Sequence, residues 1–157
     1  MNLQQALACG GEKAAAKQTT RIEPGMNTES QPRGPCPCGS RLAYARCCWR
    51  WHAGEAAADA ESLMRSRYAA YVLKLKDYLL ATWHPQTRPR ELDLAASPRW
   101  LGLKVLRHEA SGADAAIVEF SARCKAGGRT REMHEVSRFV RENGRWFYVD
   151  GDICTRE

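Results

Sequence analysis

Between Asp59 and Trp83 apolar side chains return every three or four residues, with Met64, Tyr68, Tyr71, Leu75 and Leu79 on one stripe. That spacing predicts an amphipathic helix with one face turned to a core. Asp59 is placed to cap its start, and Lys76-Asp77 marks a break. Helical geometry must end by His84, because Pro85 disfavours it in the residue before. Residues 85–98 read as a loop. Beyond them the period falls to two: Leu101, Leu103 and Val105 alternate with Gly102 and Lys104, and Val118, Phe120, Ala122 and Cys124 alternate in the same way. Ser111-Gly112 and Gly127-Gly128 mark reversals, a third strand covers about 131–141, and Asn143-Gly144 is a two-residue hairpin signal leading into Trp146, Phe147, Tyr148 and Val149. A helical hairpin followed by a strand meander predicts an α+β fold, the helices covering the concave face of a curved antiparallel sheet.

Upstream the periodicity disappears. Residues 1–34 mix Gln, Thr, Gly, Pro and Lys and read as a disordered arm. Directly after it, Cys36-Pro37-Cys38 and Cys47-Cys48 set four thiols within thirteen residues. So dense a cluster predicts bound zinc, which takes four tetrahedral ligands; a closed all-sulfur shell leaves no position for water and serves structure. Pro35 and Pro37 stiffen the segment, Gly39 can take the positive φ of a tight turn, and Ser40 is a candidate helix N-cap. The stretch from Arg41 is expected to be helical, presenting Cys47 and Cys48 at its last turn. His52 is an alternative ligand. Cys9, Cys124 and Cys154 read as spare thiols, Cys124 on the inward phase of its strand.

With 157 residues there is room for one main domain and a small accessory module. The formal charge is +6, and residues 31–54 carry Arg33, Arg41, Arg46 and Arg50 with no acidic residue before the end of that stretch. Four thiolates around one divalent ion leave an excess of negative charge, so these arginines are expected first to steady the thiolates. Seven cysteines, an odd number, and the lack of a signal-peptide pattern argue for a reducing, cytoplasmic setting. No apolar run approaches the roughly 20 residues of a membrane span.

The cysteine spacing differs from that of ordinary zinc fingers. Cys-Pro-Cys-Gly-Ser, an intervening Tyr44 and Cys47-Cys48 resemble the SEC-C motif, the zinc-binding tail of the bacterial secretion ATPase. The runs Met64-Arg65-Ser66-Arg67-Tyr68, Ala70-Tyr71, Tyr78-Leu79, Thr82-Trp83-His84-Pro85 and Trp146-Phe147-Tyr148-Val149-Asp150-Gly151 are similar to the YchJ family of uncharacterised bacterial proteins, over about residues 35–152. That resemblance implies a SEC-C module over 35–54, with zinc on Cys36, Cys38, Cys47 and Cys48. It also implies a nuclear-transport-factor-2-like cone over 55–157. Some family members repeat the cysteine motif at the C-terminus; this chain ends shortly after Cys154 with no second cluster.

Two functions of different kinds follow. In one, the zinc module docks a macromolecular partner, a protein by analogy with the secretion ATPase tail, which docks a chaperone, or RNA or the ribosome through its arginines. In the other, the cone holds a small molecule or acts as an isomerase-like or dehydratase-like enzyme. Its pocket is then expected at Tyr68, Tyr71, Trp83 and His84, with His134 as base and Arg65 as anion clamp. The phase of Val136 and Val140 aims His134 inward and Glu135 outward. His84 is also a candidate cap for the preceding helix, and no set of these residues forms a recognisable acid–base constellation in sequence.

Overall fold

The structure, a computed structural model, describes residues 32–156, so all but the last three residues of the expected arm lie outside the described residues. A 3-10 turn (Tyr44–Arg46) and three helices, α1 (Trp49–His52), α2 (Ala60–Leu73) and α3 (Lys76–Ala81), precede four strands. These are β1 (Arg99–Ala110), β2 (Ala115–Ala126), β3 (Arg129–Glu142) and β4 (Arg145–Arg156). They form one antiparallel sheet in the order β1-β2-β3-β4, the meander predicted from the alternating pattern. The fold is α+β.

The Asp59 carboxylate accepts the Ser62 N–H at 2.7 Å and starts α2 as expected. The helix ends at Lys74, in the left-handed conformation at φ 58°, where the Leu75 N–H reaches the Ala70 carbonyl at 2.8 Å. The break therefore falls two residues before Lys76. α2 is buried on more than one side: Met64, Arg67, Tyr68 and Tyr71 face the sheet, while Ala69 belongs to the packing around the cysteines. After α3 the chain runs against the edge of β4, with Trp83 bridged in parallel to Tyr148, the His84 N–H on the Tyr148 carbonyl at 2.7 Å and the Tyr148 N–H on the Thr82 carbonyl at 2.9 Å.

Turn chemistry fixes the register of the sheet. Gly127-Gly128 and Asn143-Gly144 both hold positive φ at their two central positions, the geometry of a tight two-residue hairpin. The first of these turns pairs Ala126 with Arg129, which sets Phe120 opposite Glu135 and Ala122 opposite Met133. Residues directly opposed share a face, so Met133, Glu135, Ser137 and Phe139 point into the core. This overturns the expected phase of β3: Glu135 lies inside and His134 outside, although Val136 and Val140 carry the more apolar alternation. In β1, irregularities between Trp100 and Gly102 and between Val105 and Arg107 shift the phase twice. Trp100, Leu103 and Val105 face inward, and Leu101, expected on the same face as Leu103 and Val105, is left 43% exposed.

Gly151 lies tight against Glu135, because a β-carbon there would collide with the buried carboxyl group and force it to shift. We expect Gly151→Ala to destabilise the fold by about 1–3 kcal/mol, as overpacking of a filled site does. Asp59→Ala should cost about 1 kcal/mol. Urea unfolding would show both as lower midpoints at unchanged slope.

Candidate metal centre

The cysteine segment is shaped by a tight loop. Pro35 bridges Ala43, the Cys36 N–H reaches the Leu42 carbonyl at 2.8 Å and the Tyr44 N–H reaches the Gly34 carbonyl at 2.9 Å. Gly39 and Arg41, both at positive φ, close the loop and set Cys36 and Cys38 on one rim. Cys47 ends the 3-10 turn with φ −125° and ψ −109°, and Cys48 opens α1. The two adjacent sulfurs thus converge through a sharp backbone break between two short helices. The single helix expected from Arg41 onward, fraying at its last turn, does not form. Ser40 is not a helix cap either: its hydroxyl accepts the Leu42 N–H at 3.3 Å and lies 3.2 Å from Cys47 Sγ.

Sγ atoms of Cys36, Cys38, Cys47 and Cys48 lie within 4.8 Å of one another, and all four residues are buried. Cys38 and Cys47 sulfurs are 3.5 Å apart and those of Cys47 and Cys48 3.9 Å. A tetrahedron with metal–sulfur bonds of about 2.3 Å has edges of about 3.8 Å, so the donor set fits one tetrahedral ion. Without a countercharge the thiols cannot ionise together. Hydrogen bonds from Cys36 and Cys48 hold the Cys38 thiol far below the ordinary range. Bonding to Cys38 pushes Cys36 up to about 11, and bonding to Cys36 and Cys38, with burial, pushes Cys48 far up. One thiolate is stabilised at the expense of its neighbours, and a divalent cation would supply the missing charge.

His52 is not part of this shell. Its Nε2 lies 2.9 Å from the Ser66 carbonyl, which can only accept, so Nε2 carries the proton of the neutral ring. Its Nδ1 then accepts from the Tyr44 hydroxyl at 2.5 Å. Burial lowers the histidine's pKa and keeps it neutral in this role, while burial pushes the Tyr44 hydroxyl up to about 12. Arg65 Nη1 donates to the Cys38 carbonyl at 3.2 Å while its Nε pairs with Glu61 at 2.9 Å. The cluster is seated on α2 by these contacts.

Comparison with known proteins agrees with this geometry. A family described as "YchJ, middle NTF2-like domain" matches residues 59–151, and the SEC-C motif matches residues 35–50. The chain belongs to the YchJ-like family. A UPF0225 protein of Bordetella pertussis is 56% identical over 128 residues, covering 79% of this chain and 96% of its own length. A UPF0225 protein of Xanthomonas campestris is 57% identical over 124 residues, with 77% and 96% covered. Among solved structures, a SEC-C motif containing protein from Rhodopseudomonas palustris superposes with TM-score 0.68 at 37% identity, covering 76% of this chain and 98% of that one. One from Psychrobacter arcticus gives TM-score 0.65 at 31% identity, with 74% and 80% covered.

The remaining candidates of this YchJ-like chain separate into three places. Tyr68 and Tyr71 line a cavity inside the cone, together with Arg67, Glu135 and Tyr148. Trp83 is a core wall, edge-on to Tyr148 with ring centroids 5.1 Å apart, and does not line the cavity. His84 does not cap a helix: its Nε2 pairs with Glu142 at 3.0 Å. His134 sits on the outer face, 2.8 Å from Glu119, and Arg65 serves the cysteine module, so neither reaches the cone interior. Cys124 is buried on the inner face, Cys9 lies outside the described residues, and Cys154 lies in β4 opposite His134. The arginines near the cysteines, Arg33, Arg41, Arg46 and Arg50, are exposed; the guanidinium that touches the cluster's backbone is that of Arg65.

Arg67, which the sequence offers together with Arg65 as a helical arginine able to meet an internal carboxylate or an anion, lines the interior where Arg65 does not, and Glu135, expected to face outward, lines it too; signals for both placements existed. Arg67 falls on the apolar stripe with Met64, Tyr68 and Tyr71, whereas Arg65 falls off it. The Gly127-Gly128 turn, combined with the inward phase of Phe120, places Glu135 inside. We expect Arg65→Met to loosen the module on α2 by about 1 kcal/mol, the worth of one hydrogen bond. It would be read as roughly five-fold faster amide exchange at residues 36–42, with the sheet unaffected.

Proposed function

We propose that this chain is a zinc-binding interaction protein of a reducing compartment such as the cytoplasm, in which a closed four-sulfur site orders a small basic module that docks a protein partner. The observation that carries the metal reading is the convergence of four buried sulfurs within 4.8 Å. Zinc suits an all-thiolate tetrahedral set, and a shell without an open position suits structure over catalysis. Cys36, Cys38, Cys47 and Cys48 would hold it, with Ser40 beside one sulfur and Arg65 beneath one backbone carbonyl. Support for docking comes from the surface of the same module. Arg33, Arg41 and Arg46 are exposed and form no ion pair among the described residues, and Leu42 is 53% exposed between them. A metal-braced loop displays such a surface at little cost in ordering on binding.

Metal analysis should find one zinc per chain in protein purified anaerobically and none in Cys38→Ser. Capture from cells of origin should return a protein partner with the intact chain and lose it with Cys38→Ser. An Arg41→Glu, Arg46→Glu double variant should keep its zinc and lose the partner. Capture indifferent to both changes would overturn docking through the module, and recovery of RNA in a strongly salt-dependent manner would move the reading to nucleic acid.

A further inference from the structure

Inside the cone, one buried carboxyl group is left incompletely bonded by the fold. Glu135 is 1% exposed. Its Oε1 accepts from the Ser137 hydroxyl at 2.8 Å and from the Tyr148 hydroxyl at 2.9 Å, whereas Oε2 is buried without a partner among the described residues. Buried polar atoms are bonded in all but a few cases, so a lone one points to a partner that the polypeptide does not supply. The carboxyl group is not free to turn toward another. Two hydroxyls hold Oε1, and the Gly151 backbone lies so close that a β-carbon there would strike the group.

Glu135 lines a cavity of about 30 Å³, together with Arg67 and Tyr71 from α2 and with apolar walls that include Met64, Phe120 and Met133. Arg67 forms no ion pair among the described residues. Its Nη1 donates to the Leu79 carbonyl at 2.8 Å and to the Thr82 hydroxyl at 2.7 Å, and its guanidinium lies over the rings of Trp83 and Tyr148, 5.0 and 4.7 Å from their centroids. Glu135 and Arg67 are thus each anchored elsewhere, and a cavity that both line takes the place of direct contact.

Space and chemistry then decide the occupant. A water needs about 10–15 Å³ of cavity and two to four polar partners, so about two fit. An organic ligand, for which pockets run to about 300–1,000 Å³, does not. Water also serves Oε2 in either ionisation state, because it donates to a carboxylate oxygen and accepts from a carboxylic acid. Its selection is therefore independent of the charge on Glu135. The other buried atom without a partner among the described residues, Trp83 Nε1, belongs to a side chain that does not line this cavity.

We propose that the cone holds two ordered waters, bonded to each other, one on Glu135 Oε2 and one on the Arg67 guanidinium, which link β3 to α2 across the cavity. The interior is then a hydrated brace between sheet and helix and not a pocket for an organic substrate. It is independent of the metal centre.

The test uses the full chain labelled at its methionine methyl groups. Met64 and Met133 line the cavity and are each 4% exposed, so magnetisation reaching their methyls from water reports solvent inside the cone. Both should show cross-relaxation with a long-lived water, and a crystal structure that resolves ordered solvent should place density about 2.5–3.0 Å from Oε2. Glu135→Gln keeps polar atoms at the site and should retain the signals. Glu135→Leu should lose them, because an apolar cavity stays dry. Arg67→Met should lose the second water and keep the first. Wild-type methyls without water contact, signals unchanged in Glu135→Leu, or density for an organic molecule in the cavity would each overturn the proposal, and two undisturbed waters in Arg67→Met would overturn the bridge. If Glu135→Leu does not fold, the wild-type signals and density decide.

Discussion

Four sulfur atoms held within 4.8 Å, all of them buried, impose a charge problem that the polypeptide alone does not solve. Neighbouring thiols can hydrogen-bond to one thiolate and stabilise it, as Cys36 and Cys48 do for Cys38, but the bonds to Cys38 together with burial then oppose the ionisation of Cys36 and Cys48. A divalent cation would remove that penalty and would then be part of the folding free energy of the segment. The surrounding residues are consistent with this dependence. The loop from Pro35 to Ala43 has few apolar groups of its own to bury, and the order of its backbone rests on the bonds at Cys36, Tyr44 and Cys47.

α2 joins this module to the rest of the molecule. One side of the helix carries Ala69 beneath the sulfurs, with Arg65 reaching the Cys38 carbonyl and the Ser66 carbonyl bound by His52. The other side carries Met64, Arg67, Tyr68 and Tyr71 over the sheet. The module and the cone are therefore two faces of one helix. Small residues make this possible: Ala69 and Ala70 are fully buried and let other backbone approach closely. Ser66 lies at the junction, its carbonyl on His52 and its hydroxyl 2.7 Å from that of Tyr78 on α3.

Much of this architecture was legible in the sequence, and the failures have two causes. The helical stripe, the Asp59 cap, the Asn143-Gly144 turn and the inward row of β2 are local signals, and local signals read correctly. The cysteine cluster was legible because a metal site built on thiolates needs those residue types close together, whereas its backbone was not, since a 3-10 turn broken at Cys47 has no periodicity. Strand phase is decided by neighbours. Val136 and Val140 are more apolar than Glu135 and Ser137, yet pairing with Phe120 and Val118 turns the polar pair inward. Leu101 and His84 were misplaced for the same reason, because a β-bulge and a distant glutamate settle their positions.

The twice-interrupted ladder of β1 has a consequence beyond the placement of Leu101. This strand is a margin of the sheet, with no strand paired on its outer side among the described residues, and it exposes Leu101 and Leu106 at 43% and 47%. A straight margin of that kind is a template on which another polypeptide can add and propagate into fibrils. The two irregularities, between Trp100 and Gly102 and between Val105 and Arg107, interrupt the even spacing of donors and acceptors that an incoming strand would need. The kinks that reverse side-chain phase thus also guard the open border of the sheet against runaway polymerisation.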